Sequence, residues 1–445
     1  MVTDVDDILT GVTTARAALP PPGDARYDRY CAVLAAHLTH SWEDVLAANA
    51  VDVGRAVAAG LGADLVDRLA LHKRHLATLV GLIDRTRAAL PAVTAPGPAH
   101  RADNGTTRRR LPKPFGVALM IYEARPTVTV EGALLPVAVG NAAVLRGGAE
   151  IAATNQALVA VVDRALADAE LPDGTVAIVT DPDRRVVRAL LKRPDAIDVL
   201  IPRGSPSLID YCRTSSTIPV IASGGGVNHL YVDRSADLDL AARIALDSKL
   251  GEPTACNTLE LVLAHTEVAR ELTRTLLRTG AGLAEPWLLR VDPRLVAAST
   301  SVARPAAPSG PDAAPAARPT TTPVVELTAA DDGREFLERS IGIRPVAGLD
   351  EAVDHIRRFG SGHTEGVVAT DRAVVDAFLA RVDAAALVVN GSLRLHDGPT
   401  MGLGPELSIS TGRLHVRGPV DLSALLTYSW VIEADGTLRG EGAAS

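Results

Sequence analysis

The chain has 445 residues, of which 47% are hydrophobic and 22% are charged, and its formal net charge is −8. This composition indicates a folded globular protein of two or three domains, and it argues against a disordered tail or a lone binding module. Because the balance is acidic and the Arg residues are dispersed, it also argues against a nucleic-acid partner.

The cysteines and the first residues bear on the compartment. Cys31, Cys212 and Cys256 are far apart and form no C-x-x-C motif, which favours a reducing environment. Residues 1–7 carry three Asp without a basic start and apolar run, and no stretch of 18 apolar residues occurs. We therefore expect a cytoplasmic protein without a membrane partner.

The elements can be predicted in chain order. Residues 27–48 and 51–88 carry Leu, Ala and Val at three- and four-residue steps, which predicts packing helices. From residue 114, short apolar runs alternate with helical windows, and strands are predicted at 116–122, 142–145, 175–179, 199–201 and 219–221. This alternation predicts an α/β protein with a doubly wound parallel sheet, whose ligand lies at the carboxyl ends of the strands.

A second αβ series is predicted at 236–285. Segment 297–323 is rich in Ala, Pro, Ser and Thr and is expected to be a mobile loop or linker. Residues 428–434, the Asp435-Gly436 turn and residues 437–439 predict a terminal β-hairpin. Such a hairpin serves assembly or caps its own domain.

Cys256 is the candidate nucleophile. It lies in the loop-like segment Gly251-Glu-Pro-Thr-Ala-Cys-Asn257, just before the apolar run 259–264, so its thiol is expected to face a cleft. The alternative is that Cys256 is a small buried hydrophobic residue, which is the interpretation we give to Cys31 and Cys212.

Glycine clusters follow three predicted strands. They are Arg146-Gly-Gly148, Arg203-Gly-Ser205 and Gly224-Gly-Gly226. Bare backbone at strand ends can approach a phosphate, and Arg146 and Arg203 add charge there. Tight turns that need a positive φ explain each cluster equally well when it is taken alone. His229, His363 and His415 lack ligand-like spacing, so no metal site is expected.

An ordered set of motifs resembles one branch of the aldehyde dehydrogenase superfamily, the gamma-glutamyl phosphate reductase (glutamate-5-semialdehyde dehydrogenase) family. The motifs run from about residue 47 to residue 428 and include Lys113-Pro-Phe-Gly116, Ile121-Tyr-Glu-Ala-Arg-Pro126, Pro253-Thr-Ala-Cys-Asn257, Gly360-Ser-Gly-His363 and Arg417-Gly-Pro419. The resemblance implies an oxidoreductase of proline biosynthesis that reduces an acyl phosphate to an aldehyde with NADPH.

The resemblance also implies roles for individual residues. Cys256 matches the family's catalytic cysteine, Asn257 follows it, and Arg125 falls near the position of an oxyanion-stabilising group. Cofactor-binding positions are Arg146, Gly147 and Gly148 at the adenosine ribose, Arg203, Gly204 and Ser205 near the dinucleotide, and Glu335 at the nicotinamide ribose. Arg146 favours NADPH over NADH, because an Arg suits the 2′-phosphate, although the nearby Glu150 complicates this interpretation.

Departures from the family pattern bear on the substrate. They cluster at 222–228, 251–252 and 395–401, close to the expected acyl pocket. Two alternatives therefore stay open, which are a relative that acts on another acyl phosphate or thioester and an inactive copy that serves as a binding partner. Glu252 puts a negative charge near Cys256, so we expect it to be exposed or paired with an Arg.

The domain and partner predictions complete this picture. We expect a cofactor domain at 1–228 with return segments at about 371–427, a catalytic domain at 229–370, and oligomerisation strands at 100–114 and 428–440. The expected partners are a small-molecule acyl phosphate, the kinase that makes it, and further copies of the chain in a homodimer or a dimer of dimers.

Overall fold

The computed structural model describes residues 4–296 and 322–439, and the chain divides into two compact units. Unit 1 contains residues 4–223, 402–408 and 414–439, and unit 2 contains residues 224–296, 322–401 and 409–413. The predicted mobile segment 297–323 lies outside the described residues, apart from 322 and 323.

Unit 1 begins with four helices: α1 (Val5–Ala18), α2 (Ala25–Ala58), α3 (Ala63–Leu69) and α4 (Lys73–Thr94). Asp4 and Asp24 cap α1 and α2, because each side chain accepts a backbone N–H of the first turn. Buried Tyr, Leu, Trp and Val side chains of α2 pack in the core of the unit. The predicted packing helices are confirmed, although the second predicted window, 51–88, contains the end of α2, all of α3 and most of α4.

The sheet of unit 1 is parallel and has four strands. After β1 (His100–Arg101) and β2 (Thr107–Pro114), the chain forms β3 (Val117–Tyr122), α5 (Thr127–Ala138), β4 (Ala142–Gly147), α6 (Ala152–Asp168), β5 (Val176–Val179), α7 (Arg184–Leu190), β6 (Val199–Arg203) and α8 (Pro206–Ser215). The strand order is β5-β4-β3-β6. Every residue of β3 is buried, which explains its continuous apolar run. Residues 219–221 form only an isolated bridge, between Leu200 and Val220, so the strand predicted there was wrong.

Unit 2 carries a seven-stranded parallel sheet. Its elements are β7 (Asn228–Val232), α9 (Leu238–Leu250), β8 (Leu259–His265), α10 (Thr266–Gly280), β9 (Leu288–Val291), α11 (Pro293–Val296), β10 (Val324–Glu326), β11 (Ser340–Val346), α12 (Leu349–Phe359), β12 (Thr364–Val368), α13 (Arg372–Arg381) and β13 (Ala386–Val389). The strand order is β10-β9-β11-β8-β7-β12-β13. The predicted return at 371 does not occur, because β13 pairs with β12 and keeps residues 371–401 in unit 2.

The end of the chain adds β14 (Glu406–Ser410), β15 (Gly418–Asp421) and β16 (Leu426–Glu433). β14 pairs with β15, whereas β16 pairs antiparallel with β2 over its whole length, from Leu426 opposite Pro114 to Glu433 opposite Thr107. The predicted hairpin is therefore replaced by a three-stranded sheet of β1, β2 and β16. Among the described residues, no helix is long and apolar enough to cross a membrane.

Candidate active site

The candidate nucleophile lies on a loop of unit 2. Cys256 is half-buried in the connection between α9 and β8, directly before the strand, as the sequence predicts. Cys31 and Cys212 are fully buried, and burial raises the pKa of Cys31 to about 12 and that of Cys212 to about 11. The three thiols therefore differ in environment, and Cys256 is the accessible one.

The backbone at Cys256 is held tightly. The Asn228 Nδ2 donates to the Cys256 carbonyl at 2.8 Å and to the Thr258 carbonyl at 2.6 Å. Gly226 packs against the same carbonyl, because a Cβ atom added to Gly226 would lie 1.5 Å from the Cys256 oxygen. Only a glycine at position 226 lets the two backbone segments approach this closely.

Asn257 is buried and both ends of its amide are engaged. The residue is 3% exposed, its Nδ2 donates to the His396 carbonyl at 2.9 Å, and its Oδ1 accepts from Arg394. These contacts anchor the residue after Cys256 to the 394–396 segment.

Arg394 also donates to Glu252, whose side chain is 63% exposed. The expectation that Glu252 is exposed or paired with an Arg is confirmed in both respects. Its charge is neutralised at the rim of the loop, so it does not stand as an unpaired buried charge beside the thiol.

Glu335 reaches the same glycine segment from the loop before β11. Its carboxylate accepts the backbone N–H of Gly226, and a Cβ atom on Gly225 would lie 2.5 Å from its Oε2. Cys256 and Glu335 therefore both contact Gly226. The cluster 224–226 lies at the start of unit 2, before β7, whereas the other two glycine clusters lie in unit 1.

The other predicted residues lie in unit 1, at the carboxyl ends of β4, β3 and β6. The Arg146 guanidinium donates from Nη2 to the Pro182 carbonyl at 3.0 Å, while its Nε is buried and has no hydrogen-bond partner within residues 4–296 and 322–439. Glu150 accepts the Ala124 N–H at 2.8 Å. The Arg146 Nε is thus a buried donor that no described residue satisfies.

The turn after β6 is tied to the end of β3. The Ser205 N–H donates to the Glu123 Oε2 at 2.9 Å, and Ser205 caps α8 by accepting the Leu208 N–H. A Cβ atom added to Gly147, Gly148 or Gly204 would lie 2.0–2.6 Å from a neighbouring side-chain atom, which would have to move. Arg125 lies two residues before α5, and its carbonyl accepts the Val128 N–H.

Four residues that support the site were not predicted from the sequence to be functional. Asn228 holds the Cys256 carbonyl, Arg394 contacts Asn257, and Lys249 forms an ion pair with Glu260 beneath the loop. Their only signal in the sequence was proximity to the matched motifs. Helical or strand periodicity assigns such side chains to solvated faces.

The parallel sheets and the cysteine loop before β8 define an enzyme of the aldehyde dehydrogenase class, and the sequence profile described as "Aldehyde dehydrogenase family" matches residues 26–283. A gamma-glutamyl phosphate reductase of Roseiflexus castenholzii is 41% identical over 397 residues, which is 89% of each chain. One from Shewanella amazonensis is 38% identical and covers 95% of this chain and 96% of its own. The chain therefore belongs to the gamma-glutamyl phosphate reductase family.

A solved structure agrees with this assignment. The crystal structure of gamma-glutamyl phosphate reductase from Thermotoga maritima superposes with a TM-score of 0.87 at 29% identity, and it covers 98% of this chain and 100% of its own. The resemblance seen in the ordered motifs and the predicted aldehyde-dehydrogenase-like fold are both confirmed.

Proposed function

We propose that this chain catalyses the NADPH-dependent reduction of gamma-glutamyl phosphate to glutamate-5-semialdehyde in proline biosynthesis, through a thioester on Cys256. The observation that carries the proposal is the loop of unit 2, which presents one accessible thiol on a backbone clamped by Asn228 and Gly226. The gamma-glutamyl phosphate reductases that match this chain cover 89% and 95% of it, and they support the substrate class.

The chemistry explains the residue types. The Cys256 thiolate attacks the acyl carbon, the new S–C bond forms, and the C–O bond to phosphate breaks, so that inorganic phosphate leaves. NADPH, when bound, would supply a hydride to the thioester carbon, which leaves an oxyanion still bonded to the Cys256 sulfur. Collapse of the resulting oxyanion breaks the S–C bond and returns the thiolate, so the chain needs no proton donor for this last step.

The developing oxyanion needs hydrogen-bond donors. We assign this role to the Arg125 side chain, the Asn257 side chain and the backbone N–H groups near Cys256. Since the Asn257 amide already binds the His396 carbonyl and Arg394, its contribution includes holding the loop in place.

No water-activating base is required, because phosphate takes the acyl group in the reverse direction. The carboxylates around the loop fit this requirement. Glu252 is paired with Arg394, Glu260 with Lys249, and Glu335 accepts the Gly226 N–H. Each of these three carboxylates is thus bound to a hydrogen-bond donor, which lowers its tendency to take a proton from water.

The residues also fit the cofactor. Arg146 offers a buried guanidinium N–H that suits a 2′-phosphate, the turn of Arg203, Gly204 and Ser205 suits the dinucleotide, and Glu335 suits the nicotinamide ribose. The enzyme that supplies the substrate would be a kinase acting on the gamma-carboxyl group.

We further propose that copies of the chain assemble through the sheet of β1, β2 and β16. Tyr428, Trp430 and Ile432 are exposed on one face of β16, and Arg110 of β2 stacks on both aromatic rings, at 4.4 and 5.1 Å. A row of large apolar side chains on a strand face is typical of an assembly surface.

The decisive experiment is the phosphate-dependent oxidation of glutamate-5-semialdehyde by NADP. The wild-type chain should be active, Cys256→Ser should be inactive, and Cys212→Ser should retain activity as the matched control. Longer, shorter and amine-free aldehydes should lose well over tenfold in kcat/KM. A flat profile, or a preference for another aldehyde, would assign the chain to a different acyl substrate, and inactivity with all of them would favour the inactive copy.

A further inference from the structure

A buried ion pair lies beneath the Cys256 loop. The Lys249 Nζ is 2.7 and 2.8 Å from the two Glu260 carboxylate oxygens, and the two side chains are 0% and 3% exposed. Lys249 belongs to the last turn of α9 and Glu260 to the start of β8, so the pair spans the two ends of the loop that carries the nucleophile.

On one side, the pair contacts the loop itself. The Lys249 Nζ donates to the Pro253 carbonyl at 3.3 Å and lies 3.5 Å from the Thr258 Oγ1. Thr258 in turn donates to the Ala255 carbonyl at 2.9 Å. The backbone carbonyls of Pro253 and Ala255, both before Cys256, are therefore tied to the ammonium group, directly or through the Thr258 hydroxyl.

On the other side, the pair contacts the segment that carries Glu335. The Glu260 Oε2 accepts the Phe336 N–H at 3.0 Å, and the Phe336 ring lies 5.9 Å from the Lys249 Nζ. The neighbouring Glu335 accepts the Gly226 N–H. One ion pair thus joins the nucleophile loop to the segment proposed to hold the nicotinamide ribose.

Stability alone is a weak reason for such a pair. Removing two charges from water costs as much as, or more than, their attraction returns, and well-packed apolar pairs replace buried ion pairs without loss of stability. The cost is visible here, since burial lowers the pKa of Lys249 and raises the pKa of Glu260 to about 7. An apolar pair cannot, however, hold the Pro253 carbonyl and the Phe336 N–H in a defined direction.

We infer that Lys249 and Glu260 are positioning residues, which set the placement of Cys256 relative to Glu335 so that thiolate and hydride meet at one acyl carbon. This inference rests on the proposed function. A displacement of about 1 Å between reacting groups costs about 100-fold in rate. We therefore expect kcat to fall when the hydrogen bonds to the Pro253 carbonyl and the Phe336 N–H are lost together.

The test compares two charge-free variants of the full-length chain. Lys249→Met/Glu260→Leu removes both ties, whereas Lys249→Met/Glu260→Gln keeps an acceptor for the Phe336 N–H. Asp292→Asn is the matched control, because Asp292 is a buried carboxylate directly after strand β9 of the same sheet, and it pairs with Arg294 rather than with the loop.

The measurements are the melting temperature, kcat and KM in the phosphate-dependent oxidation, the isotope effect with glutamate-5-semialdehyde deuterated at the aldehyde carbon C5, and the alkylation rate of Cys256. For Lys249→Met/Glu260→Leu we expect a nearly unchanged melting temperature and KM, a 30-fold or larger loss of kcat, a larger isotope effect, and a fivefold or larger change in alkylation rate. The Gln-containing variant should lose less kcat, and Asp292→Asn should keep kcat within threefold.

Two results would overturn the inference. One is a folded double variant that keeps both kcat and the alkylation rate, and the other is a lower melting temperature with unchanged kcat per folded molecule, which is the mark of a structural role. If the Leu-containing variant fails to fold, the same criteria apply to the Gln-containing one. Inactivity of the wild-type chain would instead contradict the proposed function, and the alkylation rates would still decide the positioning role.

Discussion

The substitution Gly226→Ala tests the site with the smallest change, because it adds one methyl group between the backbone at position 226 and the backbone at Cys256. The new Cβ atom would lie 1.5 Å from the Cys256 carbonyl oxygen, 2.5 Å from its carbon and 2.8 Å from the Asn228 Nδ2. Since real Cβ contacts are essentially never below 3.0 Å, one backbone must move by about 1.5 Å.

The magnitude of the effect follows from that displacement. Misplacing a reacting group by about 1 Å costs about 100-fold, so kcat/KM should fall by at least about 100-fold, or about 2.7 kcal/mol of transition-state stabilisation. The hydrogen bond from Asn228 to the Cys256 carbonyl should also be lost, which lowers the free energy of unfolding by about 1–3 kcal/mol.

The assay is the phosphate-dependent oxidation of glutamate-5-semialdehyde, measured together with unfolding in denaturant. Gly251→Ala is the matched control, because Gly251 precedes the same loop, has a helical φ of −69°, and has nothing within 4 Å of an added Cβ. It should retain activity and gain up to about 1 kcal/mol in stability. A Gly226→Ala chain within threefold of wild type, or a Gly251→Ala chain with an equal loss, would refute the reasoning.

Three further predictions concern the cofactor, the thiol and acid stability. Arg146→Ala should raise the dissociation constant for NADPH at least tenfold more than that for NADH in a fluorescence titration, and equal weakening would make Arg146 structural. Iodoacetamide should modify Cys256 well before Cys212, whose pKa burial raises to about 11, as peptide mass mapping would show; simultaneous modification would contradict this. Burial lowers the pKa of His363 to about 3 and that of His396 to about 4 from the ordinary 6.5, so the unfolded chain binds the extra protons below pH 6.5 and stability is lost as the pH falls. Each histidine should lower the free energy of unfolding by about 1.4 kcal/mol between pH 7.5 and 5.5, and His396→Asn should halve the summed loss of the two. A free energy of unfolding that does not change with pH in urea titrations would exclude the effect.

The parallel sheets were predictable because their signal is local. The run Val117–Tyr122 is buried on both faces of its sheet, so every residue is apolar, and the loop of Cys256 is marked by Gly251 and Pro253. The pairing of β16 with β2 was not predictable in the same way. Its partners are more than 300 residues apart, and alternation along a strand carries no information about which strand lies beside it.

The buried ion pair of Lys249 and Glu260 could not be predicted from the sequence for a related reason. Lys249 follows Ser248 at the end of a helix whose sequence reads as amphipathic, yet it is fully buried. Its burial depends on Glu260, which is itself in an otherwise apolar strand. A charge that is stable only with its partner cannot be recognised from either residue alone.

Glu252 is a departure from the family pattern that bears directly on an acyl phosphate, because an unpaired carboxylate close to the thiol would repel phosphate. Its side chain is instead mostly exposed and bound to Arg394, which also donates to Asn257 beside the nucleophile. Solvent and the guanidinium screen the charge, so the repulsion felt at Cys256 is small. The arrangement therefore leaves Arg394 as a shared cation at the rim of the loop, and the departure at position 252 is compatible with an anionic substrate.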